Sequence, residues 1–409
     1  MKPILFVIFD GLGDRPIEAL GWKTPLEAAE KPNLDHLADI GVTGLIHTIK
    51  RGVRPGSDVA HLSLLGYDPH HNYMGRGPFE AAGYGLKLQA GDVALRGNLG
   101  TVDNQNTVLD RRAGRIDSSA PFAELINGLT IDGVTVIAQP GLNHRIAIAL
   151  RGPGLSDKVT DVDPHLVNKS VLSSAPLDGS KEAAKTALVI NKLVVKAHSL
   201  FESHPLNKER RAAGKPAANV LLLRGAGQMK AIKPFHEVYG LKAACVAGGG
   251  LYKGIARILG MDVYEVPGAT GKANTDAAAK VTKVLELLKT YDFVFLHFKA
   301  TDSLAEDGKP LEKRDFITRV DKAFSPLLPL AEKKELIMSV TGDHTTASDL
   351  MLHTADEVPI LIAGYGTRTD IVKKFGERPC QEGGLGHLEG RNLIDFLLNL
   401  RGQLALYGN

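Results

Sequence analysis

The sequence contains little of what marks a disulfide-stabilised or membrane-spanning protein. Only two of its 409 residues are cysteines, Cys245 and Cys380, and neither lies in a CxxC pair. This excludes a disulfide framework and predicts reduced thiols in a cytoplasmic protein. No apolar run is long enough to span a membrane, and Asp10 interrupts the first one, unlike the core of a signal peptide.

Strong charge of either sign is also missing. The net charge is only +3, without basic runs, which argues against a nucleic-acid partner. A local basic pocket for a small anionic substrate remains compatible with this balance. Hydrophobic residues make up 44% and charged residues 23%, which is typical of a globular protein that buries a full core. The sequence is compatible with either a monomer or a homo-oligomer.

Strand-like and helical segments alternate in the two end regions of the chain, 1–75 and 236–409. This alternation predicts an α/β fold with a mostly parallel sheet flanked by helices. The region 76–235 differs, because short β-like pieces with turn signals precede one long helical stretch that begins at Lys181. We therefore predict an inserted α+β domain that interrupts a discontinuous first domain.

Three widely separated hydrophobic runs lead into aspartates, namely Asp10, Asp302 and Asp343. Open α/β sheets bind ligands at the carboxyl ends of their strands, so we expect these three acids at one sheet edge. Such a cluster predicts a metal-ion site and hence an enzyme.

Other possible metal ligands lie close to these aspartates. His344 directly follows Asp343, and His353 lies just before a predicted strand over 358–363. Aspartate oxygen and histidine nitrogen are common ligands of divalent cations. Glu306 lies four residues after Asp302, which places the two carboxylates on one face of a helical turn. Taken alone, that pair would be a solvated acidic turn.

Ser57 lies in the segment Pro-Gly-Ser-Asp that precedes a helical pattern. The segment is not a Gly-x-Ser-x-Gly nucleophile elbow, because Val59 occupies the place of the last glycine. In isolation Ser57 is interpreted as a helix N-cap. The functional alternative is a metal-activated nucleophile that attacks a phosphoryl group at a helix N-terminus.

Several basic side chains could bind phosphate or carboxylate groups, since the arginine guanidinium offers a bidentate fork. Each one alone is a weak signal, because most arginines are solvated surface residues. The candidates are Arg96, Arg115, Arg145, Arg210, Arg224 and Lys253.

Taken together, these segments resemble the archaeal-type cofactor-independent phosphoglycerate mutases of the alkaline phosphatase superfamily. The similar segments keep the family's order and extend over nearly the whole chain. They are 8–16, 55–69, 75–83, 96–99, 114–116, 143–145, 161–165, 218–227, 252–254, 297–302 and 341–344.

The resemblance implies an alkaline-phosphatase-like domain interrupted by a transferase domain, and two divalent cations, usually Mn²⁺, with Mg²⁺, Zn²⁺ or Co²⁺ also used. By the family pattern, one metal is held by Asp10, Ser57, Asp343 and His344. The other is held by Asp302, the residue at position 306, and His353.

Position 306 departs from the family pattern, because this chain has Glu306 where the family usually has histidine. A carboxylate can still bind Mn²⁺ or Mg²⁺ and is a harder ligand than imidazole. The substitution therefore affects the identity and affinity of that metal.

The resemblance also implies a two-step conversion of 3-phosphoglycerate into 2-phosphoglycerate, with Ser57 as the nucleophile that becomes phosphoserine. Lys253 is then expected as a cationic clamp and Asp161 as the base for the glycerate hydroxyl. Substrate contacts are expected from His61, Arg96, Arg115, His144, Arg145, Arg210 and Arg224.

Two alternatives stay open at this point. One is a related metal-dependent phosphotransferase or phosphatase, because members of the superfamily share the metal residues and differ in the inserted domain. The other is a non-catalytic binding protein that has lost one metal through Glu306.

Overall fold

The computed structural model describes residues 1–408, which fold into two compact units. Unit 1 combines Met1–Tyr73 with the chain from Lys233 onward, and unit 2 is Met74–Ile232. The junctions therefore lie after Tyr73 and Ile232. The sequence predicts them two and three residues later, after positions 75 and 235.

The strands are numbered in chain order. They are β1 (Ile4–Phe9), β2 (Val42–His47), β3 (Val93–Val102), β4 (Val108–Asp110), β5 (Thr130–Ile131), β6 (Val134–Pro140), β7 (Arg145–Arg151), β8 (Val220–Gln228), β9 (Ala243–Val246), β10 (Asp262–Val263), β11 (Phe293–Phe298), β12 (Ile337–Gly342), β13 (Thr345–Ala347), β14 (Leu352–Thr354), β15 (Val358–Gly364) and β16 (Gly386–Glu389).

The α-helices are numbered in the same way. They are α1 (Pro25–Ala28), α2 (Pro32–Asp39), α3 (Ser57–Leu64), α4 (Pro69–Asn72), α5 (Arg76–Gly83), α6 (Ala120–Ile126), α7 (Lys181–Glu202), α8 (Pro205–Ala212), α9 (Phe235–Tyr239), α10 (Gly250–Ile258), α11 (Ala277–Leu287), α12 (Ala300–Glu306), α13 (Pro310–Ala323), α14 (Leu328–Glu332) and α15 (Leu393–Arg401). Among the described residues, no helix is both long and apolar enough to cross a membrane.

Unit 1 is built on a sheet with the strand order β10-β9-β11-β1-β12-β15-β2-β16. The three central strands β11, β1 and β12 are parallel, and every residue in them is buried. Such continuous apolar strands are typical of a parallel sheet covered on both faces. The predicted mostly parallel α/β sheet is confirmed, and β15 is the exception, antiparallel to both of its neighbours.

Unit 2 contains an antiparallel sheet in the order β4-β3-β7-β6-β5, with β8 also paired to β3. The 22-residue helix α7 begins after the N-cap Ser180, whose hydroxyl accepts a hydrogen bond from the amide of Ala183. Apolar residues recur on α7 every three or four positions, so one face of the helix joins the core of this unit. They include Ala183, Ala187, Ile190, Leu193, Ala197 and Phe201.

A fully buried ion pair connects α13 to the loops at the carboxyl edge of the unit 1 sheet. Lys313 Nζ lies 2.8 Å from Asp14 Oδ2 and donates to the carbonyl oxygens of Gly13 (3.0 Å) and Thr346 (3.1 Å). The same Asp14 carboxylate accepts hydrogen bonds from the amide and hydroxyl of Ser348. The pair therefore holds the segment after β1 against the segment around β13.

Replacing Lys313 with methionine should destabilise the protein by about 3–5 kcal/mol, because the Asp14 charge would stay buried without its cation. The measurement is the free energy of unfolding in urea. Lys322→Met is the matched control, since Lys322 is an exposed lysine on the same helix. The control should change the free energy by no more than about 0.5 kcal/mol. Equal effects of the two substitutions would contradict this assignment.

Candidate metal centre

The register of the central strands brings two of the predicted aspartates side by side. Phe9 of β1 pairs with Gly342 of β12, so Asp10 and Asp343 each follow the end of neighbouring parallel strands. Gly11 then turns away with a φ of +59° and donates its amide to Asp343 Oδ1 at 2.8 Å. A Cβ atom at Gly11 would clash with Thr346, so this close approach requires glycine.

The first donor group consists of Asp10, Ser57, Asp343 and His344. Nε2 of His344 lies 3.3 Å from Asp10 Oδ1, 3.3 Å from Asp343 Oδ2 and 3.1 Å from Ser57 Oγ. Both carboxylate oxygens are buried and have no hydrogen-bond partner among the described residues. Three oxygens and one nitrogen that converge in this way form a set that suits a divalent cation.

Ser57 reaches this group because it is the first residue of α3. The N-cap is Gly56, whose backbone is extended, so the simple interpretation of Ser57 as an N-cap is wrong. The Ser57 hydroxyl instead points toward His344. The first amides of a helix have no partner within the helix and favour an anion, so Ser57 lies where a phosphoryl group could bind.

We call the predicted set Asp302, Glu306 and His353 the second donor group. The ligand atoms that lie within 4.8 Å of one another here are those of Asp302, His353 and His344. His353 Nε2 lies 3.2 Å from Asp302 Oδ1 and 3.8 Å from Glu306 Oε1. Asp302 follows β11 by four residues and belongs to the first turn of α12, rather than to the strand end that the sequence suggested. The helix places Asp302 and Glu306 on one face.

The remaining contacts orient the two donor groups and join them. His353 Nδ1 lies 3.0 Å from the Pro55 carbonyl oxygen, which leaves Nε2 facing Asp302. The His344 and His353 rings stack with centroids 3.6 Å apart. Thr346 Oγ1 donates to Asp302 Oδ1 at 2.7 Å and lies 3.1 Å from His344 Nδ1. One threonine thus contacts both groups.

The buried carboxylates perturb one another's ionisation. Burial and the charge of Asp10 raise the pKa of Asp343 well above its usual range. Burial and Asp10 also act to raise the pKa of Asp302, but the contacts with His353 and Lys299 prevail and lower it to about 2. Burial opposes ionisation of Asp10 too, yet Lys299 and His344 hold the pKa of that carboxyl well below its ordinary value. The cluster therefore attracts cations.

The sequence analysis did not identify Lys299, the lysine that forms ion pairs with two of these aspartates. Its Nζ is 3.2 Å from Asp10 Oδ2 and also pairs with Asp302. The available signal was its position three residues before Asp302, in the segment 297–302 that carried the family resemblance. The predicted clamp Lys253 instead pairs with Glu265, so the role assigned to it stays a prediction.

Three buried aromatic side chains, His61, Tyr252 and His297, pack beside the first donor group. His61 Nδ1 lies 2.7 Å from the Ser57 carbonyl oxygen and 3.4 Å from Asp343 Oδ2. The Tyr252 hydroxyl donates to Asp10, and its ring stacks on that of His297 at 3.5 Å. His61 was predicted to contact substrate, but it is completely buried and positions Ser57 and Asp343.

In unit 2, three predicted arginines occupy one face of the sheet. Arg96 on β3 lies opposite Arg224 on β8, and Arg145 on β7 lies opposite Asn98, two residues beyond Arg96. Residues two apart on a strand point to the same side. We call Arg96, Arg145 and Arg224 the arginine face.

The arginine face carries more positive charge than nearby acids neutralise. Arg96 Nε pairs with Glu80 at 2.7 Å, whereas Arg224 Nε lies 3.9 Å from Asp163 Oδ2 and is buried without a hydrogen bond among the described residues. Burial, together with repulsion from other arginines, lowers the pKa of both Arg96 and Arg224. An anionic ligand would relieve this repulsion.

Two further predicted residues lie next to the arginine face. Asp161 accepts a hydrogen bond from the amide of Gly225, which follows Arg224, at 2.8 Å. Burial and the neighbouring Arg145 lower the pKa of His144 to about 4, so its imidazole is neutral at pH 7. His144 Nδ1 is buried and lacks a partner within residues 1–408.

The other two predicted arginines have different surroundings. Arg210 donates to the carbonyl oxygens of Pro216 (2.8 Å) and Ala113 (2.6 Å), contacts that hold adjacent loops. Arg115 is exposed and has a left-handed backbone with a φ of 55°. Substrate contacts by these two residues stay predictions.

Comparison with known proteins gives one consistent answer. The family model of the metalloenzyme superfamily matches residues 2–400. The 2,3-bisphosphoglycerate-independent phosphoglycerate mutase of Methanococcus aeolicus is 44% identical over 408 residues, covering 100% of both chains.

Two solved structures agree with that relationship. The cofactor-independent phosphoglycerate mutase from Thermoplasma acidophilum is 37% identical with a TM-score of 0.74, covering 98% of this chain and 100% of its own. A protein from Pyrococcus horikoshii is 39% identical with a TM-score of 0.85, covering 100% of this chain and 99% of its own. With its clustered acids and histidines, the chain belongs to the metalloenzyme superfamily and, within it, to the family of 2,3-bisphosphoglycerate-independent phosphoglycerate mutases.

Proposed function

We propose that this protein interconverts 3-phosphoglycerate and 2-phosphoglycerate through a phosphoserine at Ser57, without 2,3-bisphosphoglycerate. The observation that carries the proposal is the position of the Ser57 hydroxyl. It lies 3.1 Å from His344 Nε2, beside Asp10 and Asp343 and at the N-terminus of α3. A nucleophile, cation ligands and free helix amides therefore meet at one point.

The residues present fit two divalent ions. Asp10, Ser57, Asp343 and His344 would hold one, since two buried carboxylate oxygens there have no hydrogen-bond partner among the described residues. Asp302, Glu306 and His353 would hold the other. Bound there, the ions would supply positive charge that lowers the pKa of the serine hydroxyl and neutralises the transferring phosphoryl group. We propose Mn²⁺ rather than Zn²⁺ because Glu306 makes the second set richer in oxygen.

The reaction proceeds in two half-reactions. Ser57 Oγ forms a bond to phosphorus as the bond from phosphorus to the 3-oxygen of the substrate breaks. Ser57 Oγ loses a proton, and the 3-oxygen gains one. In the second half the 2-hydroxyl oxygen bonds to phosphorus as the bond from phosphorus to Ser57 Oγ breaks. The hydroxyl gives its proton to a base, and Ser57 Oγ takes up one proton, which restores the serine. We propose Asp161 as that base.

The arginine face suits the binding of an anionic group by unit 2. A guanidinium binds a carboxylate through two parallel hydrogen bonds, and phosphoglycerate carries both a carboxylate and a phosphate. The unpartnered Nε of Arg224 and the repulsion that Arg145 and Arg224 exert on Arg96 support this assignment. We propose that the arginine face binds the glycerate carboxylate.

Cysteine chemistry supports a proposal for the cell compartment. Cys245 and Cys380 are both free and buried, and burial raises the pKa of each thiol to about 12. Unpaired structural cysteines suit a reducing compartment, so we propose that the enzyme acts in the cytoplasm. A homo-oligomer stays a prediction.

Replacing Ser57 with alanine should lower kcat by more than about 10⁴-fold, because no other group would form the covalent intermediate. The assay couples 2-phosphoglycerate formation to enolase, and mass spectrometry of the quenched wild-type enzyme should show one added phosphoryl group. Ser63→Ala is the matched control, because Ser63 is a buried serine on the same helix. Substantial activity of the Ser57 variant would rule out the covalent route.

The same assay separates the mutase from a phosphatase on this scaffold. The wild-type protein should yield 2-phosphoglycerate faster than inorganic phosphate. Release of phosphate without any 2-phosphoglycerate would contradict the proposed function while leaving the nucleophile in place.

Glu306→His should keep the enzyme active and move its metal preference from Mn²⁺ toward Co²⁺ or Zn²⁺, because imidazole is a softer ligand than carboxylate. The measurement is the ratio of kcat/KM with Mn²⁺ to kcat/KM with Co²⁺ after chelator treatment. Glu306→Gln, which removes the charge at nearly constant size, should instead lower activity with every metal. An unchanged ratio in the histidine variant would show that Glu306 does not bind metal.

A further inference from the structure

A third donor group lies outside the two groups around Ser57. It consists of His47, Glu357 and His387, whose ligand atoms all lie within 4.8 Å of one another. His47 is the last residue of β2, Glu357 directly precedes β15, and His387 is the second residue of β16. We propose that this third donor group binds one further divalent transition-metal ion, of the Zn²⁺ type, which holds the edge strand β16 against the sheet.

The side chains converge on one carboxylate oxygen. Glu357 Oε1 lies 2.5 Å from His47 Nε2 and 2.5 Å from His387 Nδ1. The two imidazole rings are nearly parallel, with an interplanar angle of 22° and centroids 6.5 Å apart. Two ring nitrogens and one oxygen thus lie close enough together to bind a single ion.

The backbone already places these three residues together. Val358 pairs with Ile46 across β15 and β2, and His387 pairs with Leu45 across β16 and β2. The carbonyl oxygen of Glu357 also accepts a hydrogen bond from Thr345 Oγ1 at 3.1 Å. Little conformational entropy would be lost on binding, because the ladder fixes the positions from which the ligands project.

The donor types favour one class of ion. Two histidines and one glutamate are a common ligand set for Zn²⁺ that leaves a coordination position open for water. Magnesium and calcium prefer oxygen ligands, so neither suits two imidazoles. The His387 side chain is 50% exposed and that of His47 is 12% exposed, so an ion could enter from solvent on the His387 side.

Arg51 is a nearby cation that would compete with a metal. Its Nε lies 3.4 Å from His47 Nε2, and its Nη2 lies 3.9 Å from Glu357 Oε1. The side chain is 79% exposed, so it can swing into solvent when an ion binds. Removing this charge with Arg51→Ala should therefore tighten metal binding.

A metal at this place would act on the edge of the sheet. β16 has only four residues and pairs with β2 alone, at the end of the strand order. An ion held by His387 on β16, His47 on β2 and Glu357 before β15 would link three adjacent strands. The third ion would therefore stabilise the edge without taking part in phosphoryl transfer.

The test is a zinc count on the full-length protein. Chelator-treated protein is saturated with Zn²⁺ and freed of excess metal, and its metal content is measured by plasma mass spectrometry. Wild-type protein should hold one ion more per chain than His387→Ala or Glu357→Gln. The matched control is His36→Ala, because His36 pairs with Glu332 at 2.8 Å in an exposed His–Glu pair outside the three donor groups. It should keep the wild-type count.

The affinity for Zn²⁺ and the amide hydrogen exchange of β16 are two further measurements. In calorimetric titration with Zn²⁺, both variants of the third donor group should lose the additional binding event, or weaken it by more than about 10-fold. Zinc should also slow amide hydrogen exchange in 386–389 in the wild-type protein but not in His387→Ala. Equal ion counts in wild type and both variants would overturn the proposal and leave a hydrogen-bonded His–Glu–His cluster only. This comparison does not depend on how many ions the residues around Ser57 hold.

Discussion

Repulsion among three buried carboxylates is the constraint on which the centre of this protein depends. Asp10, Asp302 and Asp343 are almost completely buried, and burial disfavours the charged form of each. Lys299 offsets part of this charge, and divalent ions held by the donor groups would offset the rest. The supporting hydrogen bonds of Gly11, Thr346 and the Lys313–Asp14 pair hold the acids in place against their repulsion.

The parallel sheet supplies the geometry that makes such a cluster attainable. Because Phe9 pairs with both Phe298 and Gly342, the strands β11, β1 and β12 reach the same edge together. Asp10 and Asp343 follow these strand ends directly, whereas Asp302 arrives one helical turn later on α12. The helix supplies Glu306 from the same face, so the donor that departs from the family pattern still projects toward His353.

The third donor group lies at the same edge of the sheet as the first donor group. Thr345, next to His344 of the first donor group, also hydrogen-bonds the backbone of Glu357 in the third. The antiparallel strand β15 is what brings Glu357 to this edge, since its amino end lies beside the carboxyl end of β2. The sequence pattern alone does not reveal this group, because its members are scattered from position 47 to position 387.

The sequence by itself determined the fold class, because hydrophobic runs are local properties of the chain. Its short motifs, through the family resemblance, also predicted an inserted region and a site at Asp10, Ser57, Asp302, Asp343, His344 and His353. Only the tertiary structure decided which charges meet. It placed Lys299 rather than Lys253 at the acids, turned Ser57 away from an N-cap role, and engaged Arg210 with backbone carbonyls. The physical reason is that such contacts depend on strand register and burial, which bring Lys299 to Asp10 and Ser57 to His344 across almost 300 positions and leave no periodic trace in the sequence.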